Sequence, residues 1–142
     1  MIGVARIIVV SFGYLHADPP AAHVVVDVRE HLRDPHAVAG LRHLDAASPR
    51  VRRAVMTTPG AVALAASVTG AAQALLSGPG GGPVIIAYGC AGGRHRSAVL
   101  AGETARMLGK RGIPAAVIHR DIARPVVDRA AAQDPAGEER SA

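Results

Sequence analysis

The segment Val84–Ile118 constrains the fold of this 142-residue chain more than any other. A short apolar run, Val84–Tyr88, empties through the glycine-bearing turn Gly89-Cys90-Ala91-Gly92-Gly93 into a helix predicted over Ala98–Arg111. Gly112 and Pro114 end that helix, and Ala115–Ile118 reads as the next strand. Two strands joined through a single helix close as a right-handed crossover between parallel strands. The chain is therefore an α/β protein. On the helix, Ala98, Ala101, Ala105 and Leu108 share one face and Glu103, Arg106 and Lys110 another, so the Ala face packs close to the sheet.

The rest of the pattern extends the same architecture. Ala5–Val10 and Ala22–Val28 read as two further strands covered on both faces, the first ending at Ser11 and the second delivering Asp27-Val28-Arg29 to its C-terminal edge. Pro49–Met56 is predicted as a short helix with Ser48 as N-cap. Gly60–Ser77 is predicted as a longer one, with Ala61, Leu64, Ala65, Val68, Ala72 and Leu75 as its apolar stripe. The run Gly78–Pro83 precedes a strand, not a helix, so it is a turn and not a phosphate loop. The expected fold is one three-layer α/β domain with a mostly parallel sheet of about four strands flanked by helices. The domain covers 1–122, and 123–142 form a polar, partly disordered tail.

Composition narrows the function classes. The apolar residues include one Phe, two Tyr and no Trp, so the core is built from small aliphatic side chains. No run of 18 apolar residues is present, and too little precedes Ile7 for a signal peptide, so the expected setting is cytoplasmic with no membrane partner. A single cysteine excludes an internal disulfide and a multi-cysteine zinc cage. The seven histidines show no metal spacing, and no metal or cofactor is expected. The net charge of +5, carried almost wholly by Arg, fits a polyanionic partner and equally a solvated basic face.

The strand–loop–helix unit also carries the chemistry. Its loop N–H groups and the positive end of the helix dipole converge where an anion would sit, with His95 and Arg96 as added donors. Cys90, five residues, Arg96 and Ser97 match the cysteine-dependent phosphatase loop, in which a thiolate attacks phosphorus and the Arg holds the oxyanions. Asp27, Asp45 and Asp121 are the nominal general acids for that reading, and none is singled out by its spacing.

A wider pattern joins the local one. Ser11-Phe12-Gly13-Tyr14, Asp27-Val28-Arg29, Pro35-His36, Leu41-Arg42, Gly89-Cys90-Ala91-Gly92-Gly93-Arg94-His95-Arg96-Ser97 and His119-Arg120 occur in the order of the C-terminal domain of the RapZ family, bacterial RNase adapter proteins, which the chain resembles over roughly residues 5 to 122. The resemblance implies a fold related to a phosphofructokinase subdomain, self-association as a homo-oligomer, small-RNA binding and the sensing of glucosamine-6-phosphate. It places Asp27, His36, Cys90, Gly92, His95 and Arg96 in a sugar-phosphate pocket, with Arg29, Gly93, Ser97 and His119 beside them. The Walker motif of the family's N-terminal half is absent from this chain, so nucleotide hydrolysis is not carried over. After Leu41-Arg42 the chain reads His43-Leu44-Asp45-Ala46-Ala47-Ser48, where the family has a Thr-Gly and an Asp. Three readings stand: a non-catalytic phosphometabolite module, a small cysteine phosphatase, and an RNA-binding module. For the last, Arg50, Arg52, Arg53, Arg106, Lys110 and Arg111 are among the residues available for a basic patch.

Overall fold

The computed structural model describes residues 5–38 and 40–126. Four strands, β1 (Ile7–Gly13), β2 (Val24–Asp27), β3 (Val84–Cys90) and β4 (Ala115–His119), form one all-parallel sheet in the order β2-β3-β1-β4. Three helices, α1 (Pro49–Met56), α2 (Ala61–Leu76) and α3 (Arg96–Lys110), complete the α/β fold. β1 runs beside β3 from Ile7 opposite Val84 to Gly13 opposite Cys90, and beside β4 from Ile7 opposite Ala115 to Ser11 opposite His119.

That strand order decides where the helices go. The connections β2 to β3 and β3 to β4 both step the same way across the sheet, and crossovers of one hand stepping one way lie on one face. Ile7 and Val9 of β1 and Val84, Ile86 and Tyr88 of β3 accordingly join Val51, Val55, Ala65, Leu100 and Leu108 of the three helices in the main core. The second face holds a smaller cluster of Val10, Phe12 and Ala87, covered by Tyr14 and Ala22 from the 14–23 connection. The third layer inferred from sequence is, among the described residues, this connection and not a helix. β2 differs for the same reason. Placed at the sheet edge, it alternates between half-buried and exposed residues, with Val25 44% exposed, and is not the doubly covered strand its β-branched run suggests.

Local sequence accounts for the helix limits. Pro49 stands in the first turn of α1 after an extended Ser48, whose hydroxyl makes no cap bond; Asp45 shapes the approach instead, its Oδ1 accepting from the Ala47 N–H at 2.8 Å. Gly60, at φ +90°, takes the left-handed turn between α1 and α2 that a side chain would resist. On α2 the buried stripe is Ala61, Ala65, Val68, Thr69 and Ala72, while Leu75 is exposed. On α3, Thr104 rather than Ala105 is the buried residue, because Tyr88 reaches up from β3 and shares a 2.6 Å hydrogen bond with its hydroxyl. Burial pushes the Tyr88 phenol up to about 12. Among the described residues no single helix is long and apolar enough to cross a membrane. Of the tail at 123–142, residues 127–142 lie outside the described residues.

Candidate functional site

Parallel strands end together, and the C-terminal ends of all four bring their following loops to one edge of the sheet. The 91–95 loop is pressed onto the end of β1. Tyr14 N–H donates to Cys90 O at 2.9 Å and Leu15 N–H to Ala91 O at 3.0 Å. Gly93 holds φ +77°, and a Cβ on Gly13 would lie 2.5 Å from the Gly92 carbonyl carbon. Only glycine at 13 permits that approach. Cys90 is 2% exposed; its Sγ lies 3.1 Å from Ser97 Oγ and accepts the Gly93 N–H at 3.3 Å. The first turn of α3 has no side-chain cap, which leaves its N–H groups and dipole directed at the loop.

The three basic residues between loop and helix each reach a different segment. Arg94 donates to Ile122 O at 2.9 Å and His43 O at 3.0 Å. His95 Nε2 meets Leu44 O at 2.6 Å. Arg96, 2% exposed, donates to Val28 O and Arg29 O and pairs with the Asp34 carboxylate at 3.3 Å. His95 and Arg96, which sequence reading offers as anion donors, thus also tie two loops to the start of α3, and Arg94 ties a third. Two donors are left over: the Nε–H groups of Arg94 and Arg96 are buried without an acceptor. A buried unsatisfied donor costs about 1–3 kcal/mol, so each calls for an explanation.

Asp27 and Arg29 pair with each other at 2.6 Å at the end of β2, and the Arg29 hydrogen bonds hold the Asp27 carboxyl below its ordinary range. The Arg29 guanidinium lies 3.7 Å from the centre of the Tyr14 ring. Both residues remain exposed, beside the loop through Val28 N–H, which donates to Gly89 O at 2.9 Å. His36 sits in a 3-10 turn, Pro35–Ala37, capped by Asp34, so the Asp34–Arg96 pair links that turn to α3.

His119 faces elsewhere. Its Nδ1 meets Ser11 Oγ at 2.6 Å, burial lowers its pKa against the opposing pull of Asp45, and it lines a cleft between α1 and α3 to which none of the loop residues 90–97 contributes. The structure therefore gathers Asp27, Arg29, Cys90, Gly92, Gly93, His95, Arg96 and Ser97 around one loop, attaches His36 through Asp34, and sets His119 to one side.

Asp34 escapes the sequence reading, and Asp121, offered there as a nominal general acid, takes a different part. Asp34 matters because it neutralises Arg96, and the signal available was its place before Pro35, where an acidic side chain caps a turn. Asp121, fully buried, accepts from Gly13 N–H at 2.8 Å and pairs with Arg120 and Arg124, each at 2.9 Å. Burial alone would raise its pKa; the two arginines and the Gly13 N–H outweigh it and hold the carboxyl below its ordinary value. Among the described residues no group of His, Cys, Asp or Glu could hold a metal ion.

The model of the RapZ C-terminal domain matches residues 5–123. A protein of Thermobifida fusca named a nucleotide-binding protein is 39% identical over 119 residues, 82% of this chain and 40% of that relative. Proteins of the same name from Geobacter metallireducens and Salinispora arenicola are 37% and 38% identical, over 79% and 84% of the chain and 40% and 41% of their own lengths. The chain spans about two fifths of the length of these curated relatives.

Proposed function

The chain belongs to the RapZ C-terminal domain family, and from that premise we propose that it is a non-catalytic binding module for a phosphorylated small molecule, an amino-sugar phosphate such as glucosamine-6-phosphate. One observation carries the reading: two buried guanidinium Nε–H groups, on Arg94 and Arg96, lack acceptors where a glycine loop meets an uncapped helix N-terminus. Phosphate oxygens are the acceptors that such donors and loop N–H groups favour. Asp27, exposed at the neighbouring strand end, is the acceptor for an amino or hydroxyl group of the sugar, and Arg29 the exposed cation beside it. The phosphatase reading is less well supported. Its nucleophile must reach a phosphorus atom, whereas Cys90 is 2% exposed and its Sγ is already engaged by Ser97 Oγ and the Gly93 N–H.

The nucleotide binding in the relatives' names belongs to proteins of more than twice this length, and the proposal for this chain does not require it. RNA is the proposed regulated partner. Arg50, Arg52, Arg53, Arg106, Lys110 and Arg111 are all exposed on the helical layer, which suits a phosphate backbone.

Calorimetric titration with glucosamine-6-phosphate tests the module. Binding is expected in the parent and in Cys90→Ser, and Asp27→Ala should weaken it at least tenfold. Turnover of p-nitrophenyl phosphate by the parent and not by Cys90→Ser would replace this reading with the phosphatase.

A further inference from the structure

We propose a second ligand site in the cleft between α1 and α3, for an organic anion with a flat apolar body such as an aromatic phosphate or phosphonate. The cleft measures about 670 Å³, within the range of small-molecule sites. Its walls come from both helices, the 46–47 segment and the end of β4, and Asp27, Arg29, Cys90, Gly92, Gly93 and Arg96 take no part in it.

Three features define the ligand. The floor is apolar: Ala98, Val99 and Gly102 succeed one another along α3, and apart from the adjoining backbone of the helix itself nothing lies within 4 Å of where a Cβ on Gly102 would stand. Glycine inside a helix costs stability relative to alanine, and here its effect is to keep that floor open. Met56 of α1 supplies a thioether to the wall, a group that packs well against ring edges.

The rim is cationic. Arg52 spends Nη1 on the carbonyls of Ala46 and Ala47, at 3.0 and 2.7 Å, which cancels none of its charge. Arg53, on the same helix and exposed, forms no ion pair or side-chain hydrogen bond among the described residues, and Arg106 is balanced by Glu103. Two adjacent unneutralised guanidinium groups beside an apolar bed suit a phosphate or phosphonate carried on a ring. His119 adds direction: with Nδ1 engaged by Ser11, Nε2 is the nitrogen left to a ligand.

The site is tested by titrating the whole chain with phenylphosphonate, adenosine monophosphate and inorganic phosphate. Phenylphosphonate and adenosine monophosphate should bind, and inorganic phosphate at least tenfold more weakly. Gly102→Leu, which fills the floor, and Arg53→Glu should each lower phenylphosphonate affinity at least tenfold. Gly102→Ala should melt no lower than the parent, which separates loss of binding from loss of fold. Asp27→Ala, in the loop site, should leave phenylphosphonate affinity unchanged while weakening glucosamine-6-phosphate, so the two sites fail independently. The proposal is overturned if Gly102→Leu binds phenylphosphonate like the parent, if inorganic phosphate binds as tightly, or if Asp27→Ala weakens phenylphosphonate as much as Gly102→Leu does.

Discussion

Removing the Asp121 carboxylate should loosen the loop edge of the domain. Asp121 is fully buried, and it holds the Gly13 N–H at the point where β1 meets Gly92 and Gly93. Breaking a buried ion pair from one side costs about 3–5 kcal/mol when the surviving charge stays buried. Here the survivors are Arg120 and Arg124, whose side chains are 25% and 56% exposed, so water recovers part of that loss. The Gly13 N–H, left without an acceptor, adds about 1–3 kcal/mol. Asp121→Ala should therefore cost about 3 kcal/mol, and Asp121→Asn, whose amide oxygen still accepts from Gly13, about 1–2 kcal/mol. Urea unfolding at pH 7 measures both. The pH dependence follows from the depressed native pKa: the stabilisation is complete above the unfolded value of about 3.9 and is lost as pH falls through the lower folded value. The gap between parent and Asp121→Asn should thus be flat from about pH 5 to 8 and close below about pH 4. An Asp121→Ala protein within about 0.5 kcal/mol of the parent, or a gap that widens in acid, would refute the argument.

Other substitutions probe the rest of the site. Gly13→Ala drives a Cβ to 2.5 Å from the Gly92 carbonyl carbon, so it should cost about 1–3 kcal/mol and weaken glucosamine-6-phosphate, as read by thermal melting and calorimetry. Asp34→Ala leaves the buried Arg96 charge without its carboxylate and should destabilise by about 3 kcal/mol in urea; Asp34→Ala/Arg96→Met together should recover part of it. In Tyr14→Phe the one tyrosine left is Tyr88, so absorbance at 295 nm should stay flat through pH 10 and rise near 12 or on alkaline unfolding. A midpoint near 10 in the folded protein would contradict its burial against Thr104.

What the sequence made legible is what depends on neighbours along the chain. α1 occupies the span predicted from Ser48-Pro49, and the strand–loop–helix–strand unit from Val84 lies within two residues of its predicted limits, because capping, glycine stops and β-branched runs act over a few residues. The layer arrangement depends instead on which strands pair. Nothing local to Val24-Val25-Val26 distinguishes a central strand from an edge one, and the single-faced helical layer follows only from the order β2-β3-β1-β4. The site shows the same division. The glycine loop and the helix start were legible from spacing; the partners of Arg94, His95 and Arg96 lie 28 to 68 residues away in sequence, and a basic side chain that binds a carbonyl reads no differently from one that binds phosphate.

Those distant partners bear on how a binding module could regulate anything. Together the three basic residues fix three segments to the start of α3: 122–124 through Arg94, 43–44 through Arg94 and His95, and 28–34 through Arg96. An anion taken up by the Nε–H groups of Arg94 and Arg96 engages the same guanidinium planes that hold all three of these segments. The exposed arginines of α1 follow within ten residues of His43 and Leu44, and Ala46 N–H is itself bonded to Arg94 O at 3.0 Å. Occupancy of the loop is thereby connected, through backbone contacts and not through long-range charge, to the basic helical face proposed for RNA. Salt should screen the RNA contacts strongly and the transmission between sites only weakly.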